Sequence, residues 1–150
     1  MELINIQKTN RAIEYLEKAI EINEAYVYLY NLASQYLAIN NLEDAEKYFK
    51  KAILKSAEYD EKYNYQNPQQ YNSYNPSIYL NLGVIYTEKQ EYNKAIRFFE
   101  KSIKLNPGFA NAYFNLGIVY RLTGKLNKVE QLFEKAIELN PIFREKVDNL

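Results

Sequence analysis

Apolar residues recur at intervals of three and four along the last part of this 150-residue chain. Between Leu126 and Leu139 the apolar positions are Leu126, Val129, Leu132, Phe133, Ala136 and Ile137. Charged and amide side chains lie between them, at Lys128, Glu130, Gln131, Glu134 and Lys135. An apolar stripe on this period predicts a half-buried α-helix over Leu126–Leu139.

The preceding segment, from Ala110 to Leu122, has a different pattern because it is apolar on nearly every side. A helix of this kind has to be covered on several sides by other elements. We therefore expect it to pair with the Leu126–Leu139 helix and to contact neighbouring hairpins as part of an inner layer.

The same hairpin pattern occurs twice, about 34 residues apart. Tyr79-x-x-Leu82-Gly83-x-x-Tyr86, followed by Phe99 and Pro107, corresponds to Tyr113-x-x-Leu116-Gly117-x-x-Tyr120, followed by Phe133 and Pro141. A third copy is less similar and contains Leu29, Leu32, Ala33 and Tyr36, then Ala45, Phe49 and Ala52. This spacing indicates an array of helical hairpins.

These residues resemble the tetratricopeptide repeat (TPR), with tyrosine in place of the family's first tryptophan. The resemblance implies an all-α fold, a right-handed α-solenoid of helix-turn-helix hairpins with partial repeats at both ends. We divide the chain, taken as one domain over residues 1–150, into a partial repeat 1–25, repeat 26–59, a Tyr/Asn-rich insertion 60–75, repeats 76–109 and 110–143, and a capping or truncated helix 144–150.

Gly83 and Gly117 lie inside predicted helices, where glycine costs about 1 kcal/mol relative to alanine. Forcing extra atoms into a tight contact costs about 1–3 kcal/mol. The sequence therefore predicts that these glycines mark places where two helices approach closely. We expect Gly83→Leu to damage the fold more than Gly83→Ala.

The insertion, residues 60–75, interrupts the period with four Tyr, four Asn, three Gln and one Pro. We expect the preceding helix to extend into it and to end before Pro68. The next helix is expected to begin near Asn75, the candidate N-cap, with Pro76 in its first turn and Ser77 as the competing cap. Two interpretations are open: a surface loop, tolerated because loop length costs little, or a tyrosine-rich segment that covers a groove or contacts a partner.

Charge and composition argue against several classes of function. The 19 basic and 19 acidic residues balance and form no basic stripe, which argues against nucleic-acid binding. Histidine and cysteine do not occur in the sequence, so the commonest general base, the commonest metal ligands and every Ser-His or Cys-His arrangement are missing. We therefore predict no enzyme activity, no cofactor and no metal site. Without a signal peptide or a membrane-spanning run, we expect a cytoplasmic location and no membrane contact.

The family resemblance also implies which positions of the first helices face the concave side, the surface that solenoids use for binding. The candidate groove consists of Tyr30, Asn31, Ser34, Leu80, Asn81, Val84, Asn111, Phe114, Asn115, Ile118 and Arg121. Asn31, Asn81 and Asn115 share one repeat position, and either form a ladder that pairs with a peptide backbone or bond within their own hairpins. The apolar members either bind a partner, contact each other or are covered by the insertion.

The same resemblance argues against a clamp for the acidic C-terminus of a heat-shock chaperone. In members of the family that have this clamp, it is formed by lysine, asparagine and arginine side chains at fixed inward positions. Tyr30, Ser34, Asn111 and Asn115 occupy the positions where the clamp has Lys, Asn, Lys and Arg. Asn81 matches, and Arg121 alone does not replace the missing charges.

The sequence thus predicts a non-catalytic protein–protein interaction module, or scaffold, that holds a peptide or helix of a partner in an apolar, asparagine-lined groove. Neither the partner nor the biological process follows from the sequence. The alternative is structural self-assembly, a homo-oligomer formed through the incomplete terminal repeats, although an excerpt of a longer protein explains these repeats better. RNA binding by a helical repeat is a third possibility, and it lacks the basic charge.

Overall fold

The computed structural model describes residues 2–62 and 75–150, with side chains described for residues 6–58 and 76–150. Within these ranges the chain forms eight α-helices, one 3₁₀ turn and no β-strand. The elements are α1 (Glu2–Ile22), α2 (Tyr26–Ala38), α3 (Leu42–Lys62), α4 (Asn75–Glu88), α5 (Tyr92–Leu105), α6 (Ala110–Leu122), the 3₁₀ turn (Leu126–Lys128), α7 (Val129–Leu139) and α8 (Phe143–Asp148). The predicted all-α class is confirmed.

Several helix boundaries agree with the sequence pattern. Helix α6 has the predicted bounds, and α4 begins at Asn75 with Pro76 in its first turn. Proline is tolerated at this place because the first N–H groups of a helix have no intrahelical acceptor. Helix α3 continues into the insertion as far as Lys62. Residues 63–74, including Pro68, lie outside the described residues, so both interpretations of the insertion stay predictions.

One backbone conformation recurs at the turn inside each hairpin. The residues at this place have positive φ angles, 59° at Asn40, 59° at Gln90 and 73° at Gly124. The N–H of the next residue donates to the carbonyl of Tyr36, Tyr86 or Tyr120, at 2.8 Å in all three turns. This bond, between residues five apart in sequence, is typical of a Schellman motif, which ends the first helix and lets the chain reverse into the second.

The chain divides into two compact units, Met1–Ile78 and Tyr79–Leu150. In the first unit, α2 packs against both α1 and α3. Its fully buried side chains include Leu29, Leu32 and Ala33 from α2 with Ala45, Phe49 and Ala52 from α3. Helix α1 contributes the buried Ile13, and the Tyr36 hydroxyl of α2 donates to Oε1 of Glu17 at 2.8 Å.

The second unit, which starts at Tyr79 within α4, has a core of two clusters. The first cluster joins Tyr86 of α4, Ala95, Ile96 and Phe99 of α5, and Leu116, Val119 and Tyr120 of α6. The second cluster joins Ala110 of α6, Ala136 of α7 and Phe143 of α8. Consecutive helices of this unit therefore share apolar contacts, as the hairpin repeat predicts.

Two glycines allow the helices of each hairpin in the second unit to touch. A Cβ atom built on Gly83 would lie 2.4 Å from Cε1 of Phe99, and one on Gly117 would lie 2.5 Å from Cε1 of Phe133. Each phenyl ring therefore occupies the volume that any other side chain would need. The predicted close approach is confirmed at both glycines.

The start of the last predicted helix differs from the prediction. Leu126 lies in a 3₁₀ turn, α7 begins at Val129, and the Leu126 side chain is 66% exposed instead of joining the buried stripe. Apolar periodicity shows which face is suited to burial, but burial also needs a covering element. Helix α8 has six residues, less than two turns, and leaves Leu126 largely uncovered.

Candidate partner-binding surface

Eight of the predicted groove residues belong to the second unit, and we call them its inner surface: Leu80, Asn81 and Val84 on α4, and Asn111, Phe114, Asn115, Ile118 and Arg121 on α6. Leu80 and Val84 are half-buried and pack against the first cluster, to which Leu116 of α6 also belongs. These contacts bring α4 and α6 together. Ile118 is half-buried as well, so part of its apolar side chain is accessible.

The inner-surface asparagines differ in their hydrogen bonds. Nδ2 of Asn115 donates to the carbonyl of Asn111, one turn earlier, at 2.9 Å. This bond matches the predicted alternative, in which the amide bonds within its own hairpin. Asn81 is half-buried, and its side chain makes no hydrogen bond to the described part of the chain. Its amide can therefore offer both donors and its acceptor to another molecule.

Phe114 belongs to the core more than to an open groove. Its ring centroid lies 5.7 Å from that of Phe133 and 4.8 Å from that of Phe143. Both separations fall in the range of favourable aromatic pairs. Phe114 therefore helps to hold α7 and α8 against α6. It is half-buried, as are the other apolar residues of the inner surface, Leu80, Val84 and Ile118.

Arg121 is the charged residue among these eight and is exposed in the last turn of α6. Its guanidinium donates a hydrogen bond to the main-chain carbonyl of Leu150. Positive charge is favourable at the C-terminal end of a helix. Arg121 thus places a positively charged side chain at this end of the inner surface.

Three predicted groove residues lie on α2, in the first unit. The ring of Tyr30 is 5.8 Å from that of Phe49, and Oγ of Ser34 donates to the carbonyl of Tyr30 at 2.9 Å. Both side chains therefore make contacts within their own hairpin. Asn31, which follows Tyr30 in the sequence, is half-buried. That these three residues share one groove with the inner surface stays a prediction.

Acidic side chains in the described ranges form ion pairs along helices. Glu14 pairs with Lys18 at 2.7 Å, and Glu46 pairs with Lys50 at 2.6 Å. The hydrogen bond and the charge of Lys18 lower the pKa of Glu14. Over the same ranges no three acidic side chains gather as they would around a metal ion. None of the helices described combines the length and apolar character needed to cross a membrane.

Most of the sequence matches known tetratricopeptide repeats. Residues 74–141 match this family, and so do residues 1–26 and 26–54. The chain belongs to the tetratricopeptide repeat family. The resemblance inferred from the 34-residue period is thereby confirmed.

Relatives and solved structures share this TPR architecture. Protein STIP1 homolog of Dictyostelium discoideum is 36% identical over 124 residues, which cover 70% of this chain and 22% of that protein, so this chain spans less than a quarter of its relative. A crystal structure of MamA protein is similar with a TM-score of 0.69 at 28% identity, over 89% of this chain and 64% of that one. A structure of PilF from Pseudomonas aeruginosa has a TM-score of 0.70 at 22% identity, over 90% and 55% of the two chains, and shows the fold alone.

TPR proteins generally act as protein-interaction or scaffold modules without catalytic activity. The TPR fold therefore supports an interaction or scaffold role for this chain. The cytoplasmic location stays a prediction.

Proposed function

We propose that this TPR chain is a non-catalytic interaction module whose inner surface holds a peptide or helix of a partner protein. The observation that most supports the proposal is the combination, on neighbouring helices, of the Asn81 amide with the accessible apolar groups of Val84 and Ile118. The amide can form hydrogen bonds with a peptide backbone whatever the side chains of that peptide are. The apolar groups add burial, which is worth about 25 cal/mol per Å² of apolar surface.

The inner surface also suggests the chemistry of the partner. With Asn115 bonded to its own helix, the accessible groups are the side-chain amides of Asn81 and Asn111 and a strip of half-buried apolar side chains. Such a surface fits a segment with small or branched apolar side chains. Arg121 at one end favours an acidic residue there, because complementary charge increases specificity and the rate of association.

The proposal is tested with peptides selected for binding to the intact chain from a random display library. We expect Asn81→Ala to weaken binding of a selected peptide by about 3- to 10-fold, the value of one hydrogen bond. Ile118→Ser should weaken it by about 10-fold through lost apolar contact. Calorimetric titration measures both effects, and thermal unfolding of each variant shows whether it is folded.

The matched control is Ile142→Ser, which changes an apolar residue of the second unit that is 69% exposed and not part of the inner surface. This variant should bind the selected peptides as the wild type does. If the Asn81→Ala, Ile118→Ser double variant is folded and binds them with unchanged affinity, the inner surface is not the binding site.

A second candidate function is self-assembly, and one observation favours it. Leu126, Val129 and Ile137 line an apolar cleft of about 410 Å³ together with Val147 of α8. The equivalent residues one repeat earlier, Tyr92, Ala95 and Ile103, pack in the first cluster together with α6 residues. The cleft on α7 is therefore a helix-binding surface that α8 covers in part, and a second copy of the chain can supply the missing contact.

Self-assembly predicts that the mass measured by light scattering rises above the 17.8 kDa of one chain as concentration increases. Leu126→Glu should abolish this rise, because it removes a large apolar side chain from the cleft and adds a third carboxylate to those of Glu130 and Glu134, which also line it. Leu54→Glu is the control, since Leu54 is 64% exposed and lies in the first unit. A mass of one chain at every concentration, or the same increase in Leu126→Glu, would rule out this candidate.

A further inference from the structure

The second unit contains an aromatic stack that involves both helices of a hairpin. The ring of Phe98 on α5 lies 5.2 Å from that of Tyr86 at an interplanar angle of 5°. It also lies 6.2 Å from the ring of Tyr79 at 24°. Phe98 therefore fills the space beside two tyrosines of α4, at separations where aromatic pairs attract.

The first unit repeats half of this arrangement. Tyr48 occupies the same repeat position as Phe98, and its ring stacks on that of Tyr36 at 5.6 Å and 7°. Tyr36 is in turn the equivalent of Tyr86. In both hairpins, an aromatic residue of the second helix stacks on the tyrosine near the end of the first helix, which has the same repeat position in each.

The third hairpin has both tyrosines on its first helix but lacks the aromatic residue on its second helix. Tyr113 and Tyr120 are equivalent to Tyr79 and Tyr86, while Leu132 stands where the other hairpins have Phe98 or Tyr48. A cleft of about 360 Å³ lies between them, lined by Tyr113, Leu116, Tyr120 and Leu132. An apolar cavity of about 150 Å³ is sufficient to bind benzene. The cleft is therefore large enough for a phenyl or phenol ring.

The charged side chains that line this cleft are Lys128, Lys135 and Glu100, and Lys125 lies close to it. Nζ of Lys128 is 5.8 Å from the centre of the Tyr120 ring, and Nζ of Lys125 is 5.6 Å from it. Lys135 also lines the cleft but is paired with Glu138 at 2.8 Å. The acidic group at the cleft, Glu100, accepts a hydrogen bond from the Tyr120 hydroxyl at 3.4 Å. Lysines that are not neutralised by these contacts favour a carboxylate on the ligand.

We propose that this cleft binds the phenylalanine or tyrosine ring of a protein partner, next to an acidic residue, and that the ring packs against Tyr113 and Leu132, the half-buried apolar members of its lining. The cleft is distinct from the inner surface, because Asn115 and Ile118 of α6 do not line it. It therefore gives the chain a second docking surface, and its test does not depend on the first.

The probe is the capped tripeptide acetyl-Glu-Phe-Glu-amide, titrated into the intact chain and followed by methyl NMR. Binding of the phenyl ring should shift the methyl signals of Leu116 and Leu132, with half-saturation at a peptide concentration of about 1 mM. Acetyl-Glu-Leu-Glu-amide should bind about 3- to 10-fold more weakly, which is the value of an aromatic pair. Acetyl-Lys-Phe-Lys-amide should also bind more weakly, because its charges oppose the lysines.

Two reciprocal variants give the sharper test. Leu132→Phe supplies the missing ring from the chain itself, so it should raise the melting temperature and weaken probe binding by about 10-fold or more. Leu132→Tyr serves as a second variant of the same kind. Phe98→Leu should open an equivalent cleft in the second hairpin and give a second set of probe-induced shifts, at Leu82 and nearby methyl groups.

Two results would overturn the proposal. One is that the wild type shows no shift at Leu116 or Leu132 at any usable probe concentration. Another is that Leu132→Phe, shown to be folded, binds the probe with unchanged affinity.

Discussion

Gly83→Ala destabilises the chain even though alanine is the better helix former by about 1 kcal/mol. The added Cβ atom would lie 2.4, 2.6 and 2.8 Å from three carbon atoms of the Phe99 ring. That ring is 1% exposed, so it has no open space into which it can move. We expect the free energy of unfolding to fall by about 1–2 kcal/mol for Gly83→Ala, and by more than about 4 kcal/mol for Gly83→Leu.

Urea unfolding followed by circular dichroism measures this difference. Gly108→Ala is the control, because a Cβ at Gly108 would meet only Oδ1 of Asn106, at 3.3 Å. Its effect should stay within about 0.5 kcal/mol. Gly83→Ala combined with Phe99→Leu should lose less stability than the two single variants added together, because the smaller residue makes room. Wild-type stability for Gly83→Ala would show that the ring does not lie against the glycine.

Phe143→Ala should produce the other large loss of stability. Phe143 is 3% exposed, belongs to the second cluster with Ala110 and Ala136, and stacks near Phe114. Truncation leaves a cavity and removes the main apolar contact of α8, a helix too short to be stable by itself. We expect a loss of about 3 kcal/mol or more, measured by the same urea unfolding.

The neighbouring residue provides a matched control for this prediction. Ile142 is 69% exposed, so Ile142→Ala removes a large apolar side chain at almost the same place with little change in burial. Its effect should be within about 0.5 kcal/mol. Equal stability of the Phe143→Ala and Ile142→Ala variants would mean that α8 is not packed against α6 and α7.

The parts of the fold that follow from local sequence were predictable. The bounds of α6 and the position of Pro76 in the first turn of α4 depend on helical periodicity and on the chemistry of helix ends, both of which a single segment displays. The close approaches at Gly83 and Gly117 follow from the cost of placing glycine in a helix. For these features the sequence of one repeat carries the necessary information.

The features that depend on neighbouring elements were not predictable in the same way. Leu126 continues an apolar stripe, and its exposure results from the shortness of α8, which periodicity does not report. Phe114 fits a groove position, but its ring also packs against those of Phe133 and Phe143. Asn115 has several possible partners, and only the folded helix shows that its amide donates to Asn111.

One feature was present in the sequence and was overlooked. Tyr48, Phe98 and Leu132 occupy one repeat position, and the change from an aromatic residue to leucine in the last copy can be seen by aligning the repeats. The consequence, a cleft beside Tyr113 and Tyr120, becomes visible only with the structure. The exceptions to a repeat pattern, as well as its agreements, are therefore worth comparing position by position.

The most direct test of the central claim, that the inner surface binds a partner segment, is to map a bound peptide on the intact chain by NMR. A peptide selected for binding should shift the methyl signals of Val84 and Ile118 and the side-chain amide signals of Asn81. The methyl signals of Ile22 and Leu54, exposed residues of the first unit that are not predicted to line the groove, should not move. Shifts at those two residues with none at Asn81, Val84 or Ile118 would contradict the account.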